Sequence, residues 1–166
     1  MAKLKDILPT IYVDLDDTLA SLKPHADKLL KGKAFGTGRT TKEVWDDLFA
    51  ADPKFVANQP WVSGSKALWS SIKKYKPVVI TKAGPNHRQD VIKQKYEWIK
   101  ANLGNNVEVI IITYGEKSKH KSVKKGDILI DDSKRNITDW NKSIGSGIHL
   151  KSPSQAQAEI KALLDK

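Results

Sequence analysis

Two short apolar runs, far apart in the chain, each end in paired acids. The first is Ile11-Tyr12-Val13-Asp14-Leu15-Asp16-Asp17-Thr18-Leu19-Ala20 and the second is Asp127-Ile128-Leu129-Ile130-Asp131-Asp132. Apolar, β-branched runs without polar alternation predict strands covered on both faces, as in a parallel sheet flanked by helices. Such a strand has no structural reason to finish in clustered carboxylates. Like charges repel, and each costs free energy to desolvate. A divalent cation removes that cost. The hard oxygens of aspartate suit Mg²⁺, which binds through one or two carboxylates together with a phosphate and water.

Further strands are predicted from the same pattern, giving the set 10–15, 77–81, 107–113, 127–131 and 147–150. Helical periodicity lies between them. Leu68, Trp69 and Ile72 share one side of residues 65–75, and Val91, Lys95, Trp98 and Ile99 share one side of residues 86–103. The last helix opens with Ser152-Pro153-Ser154-Gln155, a capping box with proline at the first helical position. This alternation predicts an α/β, doubly wound, Rossmann-like parallel sheet with helices on both faces. Ligands bind such sheets beyond the carboxyl ends of the strands. Asp14, Asp16, Thr81, Asp131 and Asp132 all fall at those ends, so they are expected to meet.

Residues 21–60 break the alternation, being far longer than a usual βα connection. They predict a small, mostly helical cap inserted after strand one, with helices near 24–30 and 41–50. Residues 1–20 and 61–166 then form the core. Gly36-Thr37-Gly38-Arg39 suits a plain turn better than a phosphate cradle. Trp45, Phe49 and Phe55 either stack on a base or form the cap's own core. Trp61, Trp69, Trp98 and Trp140 are read as packing against the sheet. His25, His87, His120 and His149 have no spacing that suggests a metal cluster.

The 166 residues suit one domain with a sizeable core. The absence of cysteine excludes disulfide and thiolate chemistry. No apolar run reaches membrane-spanning length, and Met1-Ala2-Lys3-Leu4-Lys5-Asp6 lacks the apolar core of a signal peptide. A cytoplasmic protein without a membrane partner is expected. With 29 Lys and Arg against 19 Asp and Glu, the net charge is +10. That fits either a solvated lysine-rich surface or an anionic partner: nucleotide, nucleic acid or phosphorylated metabolite. The densest cationic stretch, Lys117-Ser118-Lys119-His120-Lys121-Ser122-Val123-Lys124-Lys125, lies just before the second acidic strand.

These residues carry a resemblance. Asp14-Leu15-Asp16-Asp17-Thr18-Leu19-Ala20 resembles the first motif of the haloacid dehalogenase-like phosphohydrolases. Thr81 after Val78-Val79-Ile80 resembles their second, Lys121 their third and Ile130-Asp131-Asp132 their fourth. Within that superfamily the C-terminal half is most similar to the 5'(3')-deoxyribonucleotidases. The similarity rests on Lys95-Tyr96-Glu97-Trp98-Ile99-Lys100-Ala101-Asn102-Leu103-Gly104 and on Gly126-Asp127-Ile128-Leu129-Ile130-Asp131-Asp132. Where that family has a small hydroxyl residue after the motif-two threonine, this chain has Lys82.

The resemblance implies a Mg²⁺-dependent phosphomonoesterase acting on (deoxy)nucleoside monophosphates. Asp14 would be the nucleophile, forming an aspartyl-phosphate, and Asp16 the acid and base that serves the leaving group and then water. The metal would be held by Asp14, the backbone carbonyl of Asp16 and the Asp131–Asp132 pair. Thr81 and Lys121 would bind phosphate. Lys82 and Arg88, which flank the second motif, either bind a substrate phosphate or sugar or sit in solvent, and Lys82 is taken with Thr81 and Lys121 as a phosphate-binding candidate. Two other readings are compatible with the same core: a polynucleotide 3'-phosphatase acting on strand ends, and a nucleic-acid-binding protein without turnover.

Overall fold

In the computed structural model, which describes residues 8–165, five parallel strands form one sheet in the order β3-β2-β1-β4-β5. The signal-peptide reading of residues 1–6 lies outside the described residues. The strands are β1 Ile11–Val13, β2 Val78–Lys82, β3 Val109–Ile112, β4 Ile128–Asp131 and β5 Gly147–His149. All the predicted strands are present; four are shorter at one or both ends, and β2 is shifted one residue toward its carboxyl end. The helices are α1 Lys23–Leu29, α2 Thr41–Ala51, α3 Ser65–Ile72, α4 Arg88–Asn102, α5 Lys134–Ser143 and α6 Pro153–Leu164. Helix α5 adds to the predicted set. Ser133 caps it by accepting from the Asn136 amide, and Ile137 and Trp140 are its buried face. The predicted box on α6 is formed: Ser152 accepts from the Gln155 amide, and the Gln155 side chain returns to the Ser152 amide.

The sheet is covered on both faces. One layer joins Ile11, Val13, Val79 and Ile130 to Leu68, Trp69, Trp98 and Ile160. The other joins Tyr12, Ile80 and Leu129 to Ile137 and Trp140. Period-two alternation along β1 therefore divides Tyr12 from Ile11 and Val13, each set facing its own helices. The tryptophans pack as predicted; Trp98 and Trp140 have almost no exposed surface.

Residues 21–60 carry α1 and α2, and their Ala26, Val44, Leu48, Phe55 and Val56 form an apolar cluster with Ala83 and Val91 of the core. Trp45 and Phe49 pack against that cluster, and the Trp45 ring lies 6.1 Å from Phe55 and 6.0 Å from Phe49. These aromatics form the cap's core, one of the two arrangements the sequence allows. Gly36 and Gly38 have φ near +82° and +81°, and Thr37 Oγ1 donates to the Ala34 carbonyl at 2.7 Å, which makes a plain turn. Among the described residues no helix is long and apolar enough to cross a membrane.

Candidate functional site

The strand order reverses between β1 and β4, which pair through Val13 and Ile130. That reversal opens a crevice at the carboxyl edge, where α/β sheets bind ligands. Asp14 directly follows β1, and its amide donates to the Ile130 carbonyl at 2.9 Å. Asp131 ends β4, and Asp132 follows. Paired strands thus bring together acids from the two ends of the chain. One carboxylate oxygen from each of Asp14, Asp131 and Asp132 lies within 4.8 Å of the others.

The turn after β1 holds the first acids in place. The amides of Leu19 and Ala20 donate to the Leu15 carbonyl at 2.9 Å. Asp17 has φ 59°, and its carboxylate accepts the Leu22 and Lys23 amides at 2.8 and 3.1 Å. Asp17 therefore starts α1 and faces away from the cluster. Thr18 is buried. Its hydroxyl takes the Asp132 amide at 3.2 Å and faces Asp132 Oδ1 at 3.2 Å and Asp14 Oδ2 at 3.5 Å.

The lysine at this cluster is Lys117. Its buried ammonium lies 2.7 Å from both Asp14 Oδ1 and Asp131 Oδ2. Lys121 is exposed and makes no ion pair among the described residues, which corrects the motif-three assignment. Lys121 lies beyond the cluster because β4 is parallel to β1. After β3 the chain must return from the carboxyl edge to the amino edge before β4 can begin. Lys117, in a 3-10 turn of residues Lys117–Lys119, is still at the carboxyl edge. By Ser122 the chain has descended to mid-strand, where its carbonyl accepts from the Tyr12 hydroxyl at 3.1 Å.

A second buried lysine escaped the functional reading. Lys95 Nζ lies 2.7 Å from Asp16 Oδ2 and donates to Thr81 Oγ1 at 2.7 Å. A lysine among Val91, Trp98 and Ile99 on the buried face of α4 was the available signal, since lysine is seldom buried unless paired. Gln59 Nε2 adds a longer contact to Asp16 Oδ1 at 3.4 Å, and Gln59 Oε1 is buried without a partner. The Asp16 carboxylate thus turns toward Lys95 and stands outside the three-acid cluster. Thr81 is fully buried. Lys82 is exposed, and its ammonium donates to Asn136 Oδ1, while Asn136 Nδ2 donates to Asp131 Oδ2 at 3.0 Å. Lys82 therefore flanks the site and does not enter it. Arg88 is half-buried and donates to the Gly84 carbonyl.

Burial dominates the electrostatics. It raises the Asp14 carboxyl well above its ordinary value; the nearby Asp131 charge adds to this and Lys117 opposes it. Burial followed by Asp131 also raises Asp132. Burial alone would lower Lys117, but the attraction of Asp14 and Asp131 outweighs it and the ammonium is held above its ordinary value.

The donor set fits a hard divalent cation. Asp131 is already engaged: Oδ1 accepts the Ser133 amide at 2.9 Å, and Oδ2 accepts Lys117 and Asn136. Asp14 Oδ2 and Asp132 Oδ1 share one Thr18 hydroxyl hydrogen. Two carboxylate oxygens facing one hydroxyl proton are where an oxygen-seeking cation would gain most. The chain matches no protein-family model and no curated protein.

Proposed function

We propose that this protein is a cytoplasmic, Mg²⁺-dependent phosphomonoesterase acting on (deoxy)nucleoside monophosphates, with Asp14 as the nucleophile. The observation that carries this reading is the buried Lys117 ammonium bridging Asp14 and Asp131 beside Asp132. A carboxylate buried among acids, yet held by one cation, is prepared to meet a substrate whose charge must be shared.

Asp14 and Asp132 would hold the metal directly, with Asp131 fixing Lys117 and Asn136. Bound there, Mg²⁺ would screen the phosphate charge and polarise its oxygens. Asp14 attacks phosphorus in line, an Asp14–phosphorus bond forms and the ester bond breaks. Asp16 takes up a proton from solvent as the substrate binds and gives it to the departing alkoxide. It then takes a proton from the water that attacks phosphorus, and the Asp14–phosphorus bond breaks to release phosphate. Lys117 balances the charge that Asp14 shares with the phosphoryl group. Thr81 accepts from Lys95 and so keeps its own hydroxyl hydrogen to donate to a phosphoryl oxygen.

The test is hydrolysis of p-nitrophenyl phosphate and of a panel of nucleoside monophosphates, with and without Mg²⁺. Activity should require the metal and vanish in Asp14→Asn. Asp16→Asn should still bind Mg²⁺ by calorimetry while losing turnover. Substantial turnover in Asp14→Asn would remove the aspartyl-phosphate mechanism.

A further inference from the structure

Tyr114 is 97 % exposed, while the next most exposed large aromatic, Tyr96, is 47 % exposed. A ring left in water buries no apolar surface and gives nothing to the fold. It stands just past the end of β3, on a surface groove of about 610 Å³ whose walls include Glu116, Lys119, His120 and Lys121. The turn that forms the groove's wall also carries Lys117, between Glu116 and Lys119, whose buried ammonium reaches Asp14. The same turn packs against α5, whose exposed Lys134 and Arg135 follow directly on Asp132 and Ser133.

The cations along this side are uncompensated. Lys121, Lys134 and Arg135 make no ion pair among the described residues. Glu116, the acid in the groove wall, faces Lys119 at 3.8 Å and Ser118 Oγ at 3.3 Å. We infer that this groove binds single-stranded nucleic acid, with a base stacked on Tyr114 and backbone phosphates on Lys121, Lys134 and Arg135. A nucleoside monophosphate carries its charge on the one phosphate that the Asp14 site would take, so it leaves these cations nothing to neutralise. A strand brings one phosphate per nucleotide. An exposed ring flanked by cations matches how single strands are held without sequence preference. A duplex hides its base faces, so the ring selects unpaired bases. Seating a strand's terminal phosphate at Asp14 rests on the phosphomonoesterase reading; affinity for the strand does not.

Fluorescence anisotropy with a labelled eight-nucleotide DNA strand bearing a 3'-phosphate tests this, using Asp14→Asn in Mg²⁺ so that nothing is hydrolysed. The strand should bind more tightly than thymidine monophosphate and more tightly than the duplex of the same sequence. Its log affinity should fall with log salt by about 0.7 for each phosphate contact. Adding Tyr114→Ala should weaken binding about five-fold or more, the loss of one base–aromatic stack. Adding Lys134→Ala and Arg135→Ala should flatten the salt dependence. The inference is overturned if the strand binds no better than the mononucleotide, or if Tyr114→Ala leaves its affinity unchanged. Hydrolysis of p-nitrophenyl phosphate by the unmodified protein, measured in parallel, keeps the two readings apart. Hydrolysis without strand binding removes the groove alone, and strand binding without hydrolysis removes the phosphatase alone.

Discussion

Lys117 and Lys121 differ by four positions and share one lysine-rich stretch, yet one is buried between two carboxylates and the other is exposed. Beyond about 8–10 Å an exposed charge is largely screened at physiological salt, so Lys121 cannot replace Lys117. On the proposed mechanism, Lys117→Ala should reduce turnover on the order of 10²–10³-fold, the usual effect of losing one preorganised charge contact. Lys121→Ala should change mononucleotide hydrolysis only a few-fold. Lys117→Ala should also destabilise the metal-free protein by about 3–5 kcal/mol, because it leaves buried carboxylates unpaired. Denaturant unfolding in chelator checks that figure; an unaltered midpoint would mean the ion pairs are not formed in solution. On the same proposed mechanism, Lys95 would act through Asp16 and Thr81, as a positioning residue. Lys95→Met keeps the length and apolar stem but removes both contacts. It should lower kcat and alter the acid limb of the pH profile, with KM changing less. A normal pH profile with lowered kcat would instead show that Lys95 only supports the fold.

Among the elements, α4 does the most to place the cap. Gln94 Oε1 accepts the Val56 and Ala57 amides at 3.0 and 3.1 Å, and its Nε2 donates to the Pro53 carbonyl at 2.8 Å. Trp98 donates to the Gln59 carbonyl at 2.7 Å, and Lys54 pairs with Glu97 at 3.3 Å. One face of α4 therefore fixes the segment that delivers Gln59 to Asp16. Gln94→Ala leaves two amides without their acceptor, at about 1–3 kcal/mol for a buried unsatisfied group. Hydrogen exchange should show amides 54–59 opening faster in this variant, while those of β1 and β4 keep their protection. Uniform loss of protection would mean that the cap and core unfold together. At the other end of the fold, Ser152→Ala should cost roughly 1 kcal/mol by removing the cap of α6.

For the whole molecule, the acidic site makes stability depend on pH and, on the proposed reading, on metal. Asp14 and Asp132 have folded-state values raised above their ordinary ones. A raised carboxyl contributes stability below its unfolded value and loses it as pH rises through the folded value. The metal-free protein should therefore lose stability as pH climbs from the ordinary aspartate range toward neutrality. A bound cation favours the ionised carboxylates, so Mg²⁺ should raise the melting temperature more at pH 7.5 than at pH 5. Asp132→Asn should shrink that difference. Equal Mg²⁺ shifts at both pH values would mean that the metal does not compete with protons at this cluster.

The strands, most helix positions and the convergence of Asp14 with Asp131 and Asp132 were legible in the chain, because each rests on local chemistry. Apolar runs without alternation can be buried on both faces, and acids placed at strand ends in a doubly wound sheet must share one edge. Ser152 and Gln155 announced their own helix start for the same reason: a capping box is complete within four residues. The lysines were decided elsewhere. Lys117 reaches Asp14 because the return from β3 to the amino edge consumes the residues after it. Lys95 reaches Asp16 and Thr81 because α4 lies across the end of β2. The roles of Trp45, Phe49 and Phe55 were likewise open until the cap packed on α4. An ion pair or an aromatic contact between residues far apart in sequence depends on loop path and helix placement. Those are set by the packing of the whole chain, and no short stretch of residues contains them.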